Sequence, residues 1–138
     1  MTQLAQRLLA PAAIRWIALL GLCAAYIQGG LNKLLDVGGA VAEMQHFGLE
    51  PAMPFAIAVI LTELAGAALV LSGIQRWFGA LWLGAFTLVS TFIANRYWEL
   101  PPGHERFMTA NAFYEHLGLL GGFLLVAWLD LRERRGAA

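Results

Sequence analysis

Charge is scarce in this chain. Only 13% of its 138 residues are Asp, Glu, Lys or Arg, against roughly 25% in a typical soluble domain. That leaves too little polar surface to cover a water-soluble globule of this size. The nine basic residues are balanced by nine acidic ones. No basic stripe exists, so nucleic acid is excluded as a partner. There is one cysteine, Cys23. An internal disulfide and a Cys-x-x-Cys pair are therefore both excluded, and with them the thiol chemistry of four-helix membrane oxidoreductases. The three histidines, His46, His104 and His116, are too scattered for a metal signature. Segments of about ten residues with alternating polarity are missing, which argues against a membrane barrel. No glycine-rich phosphate loop and no nucleophile elbow is present.

What the chain has in abundance is apolar sequence. Its hydrophobic fraction is 59% and its mean hydropathy is +0.65. A membrane helix needs about 20 mostly apolar residues. Arg15 and Lys33 bracket one charge-free run, and Arg76 and Arg96 bracket another. Between Glu50 and Arg76 only Glu63 interrupts the apolar sequence. A further run ends near Leu129 and is free of charge from Leu117 onward. In hydrocarbon every backbone polar group must pair within the structure, so each run reads as a helix. Spans are expected at about 14–35, 52–73, 77–97 and 109–130, forming one all-α integral membrane domain. Pro11, Pro51 and Pro54 sit where helix starts tolerate proline, and Pro101, Pro102 and Gly103 break the chain before the fourth span. The first span continues to Leu35, too long for the apolar core of a secretory signal, so it is expected to stay uncleaved.

Orientation follows from basic residues in the short connections. Arg7, Arg15, Arg76, Arg132, Arg134 and Arg135 share one side, and Lys33, Arg96 and Arg106 the other. Both termini are accordingly expected in the cytoplasm. Between spans one and two, Val41, Met44 and Phe47 recur at helical spacing around Glu43 and His46. This segment reads either as a short interfacial helix or as a loop.

Several polar residues lie inside the spans. Glu63 falls near the middle of span two, where an ionisable group costs several kcal/mol unless paired, protonated or hydrated, and so usually faces the bundle interior. It is either a proton-handling or ligand-binding carboxyl, or a structural hydrogen bond between helices. Gln28 and Asn32 in span one, Thr87, Thr91 and Asn95 in span three, and Asn111 and Glu115 in span four repeat every fourth residue. Such residues share a helix face. Facing inward together, they would line a polar pocket with Glu63 near its floor. Lys33 either snorkels to the interface or pairs with Glu63 or Glu115. Gly21, Ala25 and Gly29, and likewise Gly118 and Gly122, form small-residue faces suited to close helix packing.

Five motifs resemble the DoxX family of small bacterial four-helix membrane proteins. They are Gly29-Gly30-Leu31-Asn32-Lys33-Leu34, Phe47-Gly48-Leu49-Glu50-Pro51, Glu63-Leu64-Ala65-Gly66, Asn95-Arg96-Tyr97-Trp98 and Phe113-Tyr114-Glu115-His116-Leu117. The resemblance runs from about Arg15 to Trp128. Asn95 stands where family members often have His, which removes one candidate proton or metal ligand, and the Gly-rich Ser-Leu-Asp ending of many members is missing. Some relatives are subunits of a thiosulfate:quinone oxidoreductase, so the resemblance implies quinone-linked redox work at the bacterial inner membrane.

Three functions are compatible with these features. The first is a redox-associated subunit holding a quinone or similar small lipid. Asn32, Lys33, Asn95 and Asn111 would donate hydrogen bonds, while Glu63, Glu115 and His116 would relay protons. Gln28 and Thr91 complete the candidate lining. No electron carrier is visible in the sequence, so a redox partner would supply electrons. The second is a non-enzymatic assembly factor, anchor or lipid-binding scaffold, with a partner protein or a second copy on the small-residue faces. The third is a small proton-coupled transporter, for which the sequence shows no inverted repeat.

Overall fold

The computed structural model describes Gln3, Leu4, Leu8 and residues 12–137. Arg7 and Pro11 lie outside the described residues. Residues 12–137 form five α-helices in turn: α1 (Ala12–Leu35), α2 (Val37–His46), α3 (Ala52–Ser72), α4 (Arg76–Ala94) and α5 (His104–Gly136). A 3-10 turn, Tyr97–Glu99, joins α4 to α5. No strand occurs among the described residues. Four of the helices, α1, α3, α4 and α5, are long and apolar enough to cross a membrane.

The boundaries follow local chemistry. Pro51 leads into α3, and the side chain of Glu50 accepts the Ala52 N–H at 3.0 Å. Gly73 ends α3 in the left-handed region, at φ 77°, which only glycine enters without steric cost. Asp36 caps α2 by accepting the Gly39 N–H at 2.9 Å, so the segment between the first two spans is a helix rather than a loop. The last helix departs most from expectation. It starts at His104 rather than near 109 and runs to Gly136. At 1.5 Å per residue its 33 residues reach about 50 Å, beyond a hydrocarbon core of about 30 Å. Its charged flanks continue the helix past both edges of the apolar run.

The helices pack in the order α1, α3, α4, α5, with α1 and α5 meeting only sparingly. The core is built from Leu19, Cys23, Tyr26, Ala67, Val70, Ala80, Leu83, Phe123 and Ala127. A smaller cluster of Ala40, Met44, Ala52 and Ala56 fastens α2 to α3.

The two ends of the bundle are held differently. At the end that carries the α3–α4 connection, Asp130 is buried. It accepts from Arg134 Nε at 2.8 Å and from the Trp77 N–H at 3.2 Å. Arg76 Nη1 stands 3.8 Å from it. Arg76 Nε also donates to the Val70 carbonyl at 2.8 Å, and Arg134 Nη2 to the Gly73 carbonyl at 3.1 Å. These bonds satisfy carbonyls that the end of α3 leaves without helical partners. Arg15 and Glu133 pair at 2.9 Å across α1 and α5. At the opposite, distal end, rings of Phe92, Tyr97, Trp98, Phe113 and Tyr114 cluster, with Phe113 edge-on to Phe92 at 5.4 Å and to Trp98 at 5.7 Å.

Glycine fixes where α3 and α4 touch. A Cβ at Gly66 would come within 2.7 Å of Leu83 Cγ. One at Gly79 would meet Leu69 Cβ at 2.7 Å and the Gly66 carbonyl at 3.0 Å. Only glycine permits this approach.

Candidate functional site

Glu63 lies on the bundle-facing side of α3 and is 7% exposed. Its carboxylate rests against Gly29 of α1, where an added Cβ would come within 3.3 Å of Oε1 and 3.4 Å of Oε2. Lys33, one turn beyond Gly29, brings its Nζ to 3.5 Å from Glu63 Oε1. The same ammonium stands 3.7 Å from Glu43 Oε2 on α2. One cation therefore ties α1, α2 and α3 together. Its reach has a simple cause: helix side chains tilt toward the N-terminus, so Lys33 points from the end of α1 back toward the depth of Glu63. Oε2 of Glu63 is buried and has no hydrogen-bond partner among the described residues.

A cavity of about 510 Å³ opens beside this pair. Met44, Phe47, Phe55, Val59, Phe86 and Ile93 supply its apolar lining. Its polar groups are Tyr26, Lys33, Glu43, Thr62, Glu63, Thr87, Ser90, Asn95 and His116. Phe55 and Val89 line it yet are 41% and 59% exposed, so the cavity reaches the surface between α3 and α4. This crevice lies on the distal side of the Gly66–Gly79 contact. Trp82 Nε1 donates to Thr62 Oγ1 at 3.3 Å and joins the two helices near the crevice base.

In the cavity wall, Thr87 Oγ1 donates to the Leu83 carbonyl at 2.6 Å. That leaves the Thr87 oxygen to accept the Tyr26 hydroxyl proton. The Tyr26 ring packs edge-on against Phe123 at 5.3 Å. Asn95 Nδ2 donates to Thr91 Oγ1 at 3.2 Å. His116 Nδ1 lies 2.6 Å from the Ala112 carbonyl. A carbonyl only accepts, so Nδ1 carries the proton and Nε2 is the nitrogen left free in a neutral ring.

The candidate residues divide into two sets. Glu63, Lys33, Asn95 and His116 share the cavity lining, with Thr91 buried behind Asn95. Gln28, Asn32, Asn111 and Glu115 are exposed on the outside of the bundle. The polar stripes of α1 and α5 thus turn away from the chamber, and the face of α1 that turns inward carries Tyr26, Gly29 and Lys33. The acids beside Lys33 are Glu63 and Glu43, not Glu115. Sequence reasoning missed Glu43 and Tyr26 as neighbours of the site and Asp130 as a buried anchor. The Val41, Met44 and Phe47 spacing held the one signal for Glu43: an α2 that buries Met44 turns Glu43 toward the end of α1. No group of three or more potential metal ligands occurs among the described residues.

Four apolar helices around a buried acid define a multi-pass helical membrane protein. The DoxX family model matches residues 12–96, more than half of the chain, and the chain belongs to that family. The match ends at Arg96, so the likeness around Phe113–Leu117 in the last helix falls outside it. No curated protein and no solved structure matches the chain.

Proposed function

We propose that this DoxX protein is a redox-associated membrane subunit whose cavity holds a quinone or a similar small lipid. One observation carries the reading: a buried carboxylate oxygen without a partner borders an apolar-walled cavity that opens between two membrane-spanning helices. Leaving such an oxygen unpaired costs about 1–3 kcal/mol, and a ligand head group that bonds it recovers that energy. The cavity volume falls in the 300–1,000 Å³ range of small-molecule sites, about as apolar in its walls as such sites are. Phe55, Phe86 and Phe47 offer ring faces to a flat head group. Asn95, His116 and Lys33 are the polar groups toward which its far side would turn. Electrons would come from a partner protein. The basic end, with Arg76, Arg132, Arg134 and Arg135, would face the cytoplasm and place the cavity in the outer half of the inner membrane.

Gentle purification followed by solvent extraction tests the reading. Wild-type protein should carry a quinone or a comparable lipid near one per chain, and Glu63→Gln should carry several-fold less. Extracts that hold only bulk phospholipid would refute it.

The outward-facing Gln28, Asn32, Asn111 and Glu115 favour a second reading, an anchor for a partner protein or another copy. In that case Gln28→Leu and Asn111→Leu should release a co-purifying protein while leaving the extract unchanged.

A further inference from the structure

The cavity presents a buried, unpartnered acceptor in its wall, and this sets the ligand chemistry. An ionised carboxylate has acceptor sites only. Glu63 Oε1 faces the Lys33 ammonium at 3.5 Å, which leaves Oε2 as the oxygen in need of a donor. The nearby hydroxyls do not serve it. Thr87 donates to the Leu83 carbonyl, and Tyr26 is engaged with Thr87. The hydroxyls of Thr62 and Ser90 also line the cavity, and neither makes a hydrogen bond with Oε2. The Asn95 amide gives one N–H to Thr91 and makes no hydrogen bond with Oε2. A carbonyl placed against Oε2 would set two acceptors face to face, and a hydroxyl would give a charge-assisted hydrogen bond.

We infer that the site takes the hydroxyl-bearing, reduced form of an aromatic lipid in preference to its oxidised, carbonyl form. The inference rests on the cavity being a ligand site and adds the redox state of what it holds. The head donates its hydroxyl proton to Glu63 Oε2. The ring lies among Phe55, Phe86 and Ile93. The tail leaves through the crevice between α3 and α4, where Val89 and Phe55 reach the surface, so the ligand enters from the bilayer. A carboxylate–hydroxyl bond is worth about 1.5–3 kcal/mol. Replacing it with an acceptor–acceptor contact predicts a preference of at least about tenfold. For a two-electron couple, tenfold tighter binding of the reduced form raises its midpoint potential by about 30 mV.

A hydroquinone with a ten-carbon tail and its matching quinone form a suitable probe pair, because they differ only by two hydrogens. Each is titrated into the full chain in nanodiscs, the first under anaerobic reducing conditions, with quenching of tryptophan fluorescence as the readout. Redox potentiometry of the bound couple gives an independent measure. The expected result is at least tenfold tighter binding of the hydroquinone, and a ratio within about threefold for Glu63→Gln, whose amide can donate as well as accept. Gln28→Leu, on the outside of the bundle and away from the cavity, should keep the wild-type ratio. Equal binding of both forms, or tighter binding of the quinone, overturns the redox preference and leaves the ligand site standing. Binding of neither form overturns both. If Glu63→Gln fails to fold, the wild-type ratio and potential shift still decide.

Discussion

Removing Lys33 should destabilise the protein more than removing Glu63, although the two form one pair. At 3.5 Å, an attraction screened by an effective permittivity near 20 is about 5 kcal/mol. Breaking a buried pair costs about 3–5 kcal/mol, because one charge is left uncompensated. The partners differ in what remains. Glu63 has a single cation near it, whereas Lys33 keeps Glu43 at 3.7 Å when Glu63 is neutralised. Lys33→Met is therefore expected to cost about 3 kcal/mol, the lower part of that range because its side chain retains 15% exposure. Glu63→Gln is expected to cost about 1 kcal/mol, near the value of a single hydrogen bond. The double variant should lie closer to wild type than Lys33→Met alone, a favourable coupling of about 2 kcal/mol. Reversible unfolding in bicelles by titration with dodecyl sulfate, followed by tryptophan fluorescence, gives all four corners of the cycle. Lys33→Met no more costly than Glu63→Gln, or strictly additive effects, would refute the reasoning.

Four further outcomes are expected. Asp130→Ala should lower stability by about 2–4 kcal/mol in the same assay, because it strands Arg76 and the Trp77 N–H at a buried position. Gly79→Ala should cost at least about 1–3 kcal/mol, seen as a fall in Tm, because the new methyl meets α3 backbone that cannot swing aside. Cys23, fully buried, should resist a maleimide in the folded protein and react once it is unfolded. A cysteine substituted at His104 should be labelled on intact cells by a membrane-impermeant maleimide, and one at Gly136 only after lysis; the reverse pattern would overturn the proposed orientation.

The four long apolar helices and the buried acid are legible in the sequence because both rest on strong local costs. A charge-free run of hydrocarbon length has one stable backbone form, and an acid in the middle of a span must turn inward. Rotation of each helix about its axis is not legible in the same way. In α1 the pairs Gln28/Asn32 and Gly29/Lys33 are both four residues apart, and their faces differ by about 100°. Which pair turns inward is decided by the Lys33 contact with Glu63 and by the room Gly29 leaves for the carboxylate. The same ambiguity separates Glu115 from His116 in α5. In α4, Thr87, Thr91 and Asn95 compete with no second polar stripe, and there the inward face can be read directly. Asp130 escapes notice because an acid near a span end reads as an ordinary membrane-edge residue. Its burial comes from Arg76, far away in the chain, folding against it.

The glycine contact between α3 and α4 lies near the end where Asp130 and its arginines clamp the helices, and the crevice lies toward the other. Anchored at one extremity, the pair is laid out like tweezers: a small change of angle at the Gly66–Gly79 fulcrum would become a larger change of gap at Phe55 and Val89. Amino-acid changes at the tips can retune which guest is gripped while the fulcrum keeps the fold intact, so Phe55 and Val89 should accept more substitutions than Gly66 and Gly79.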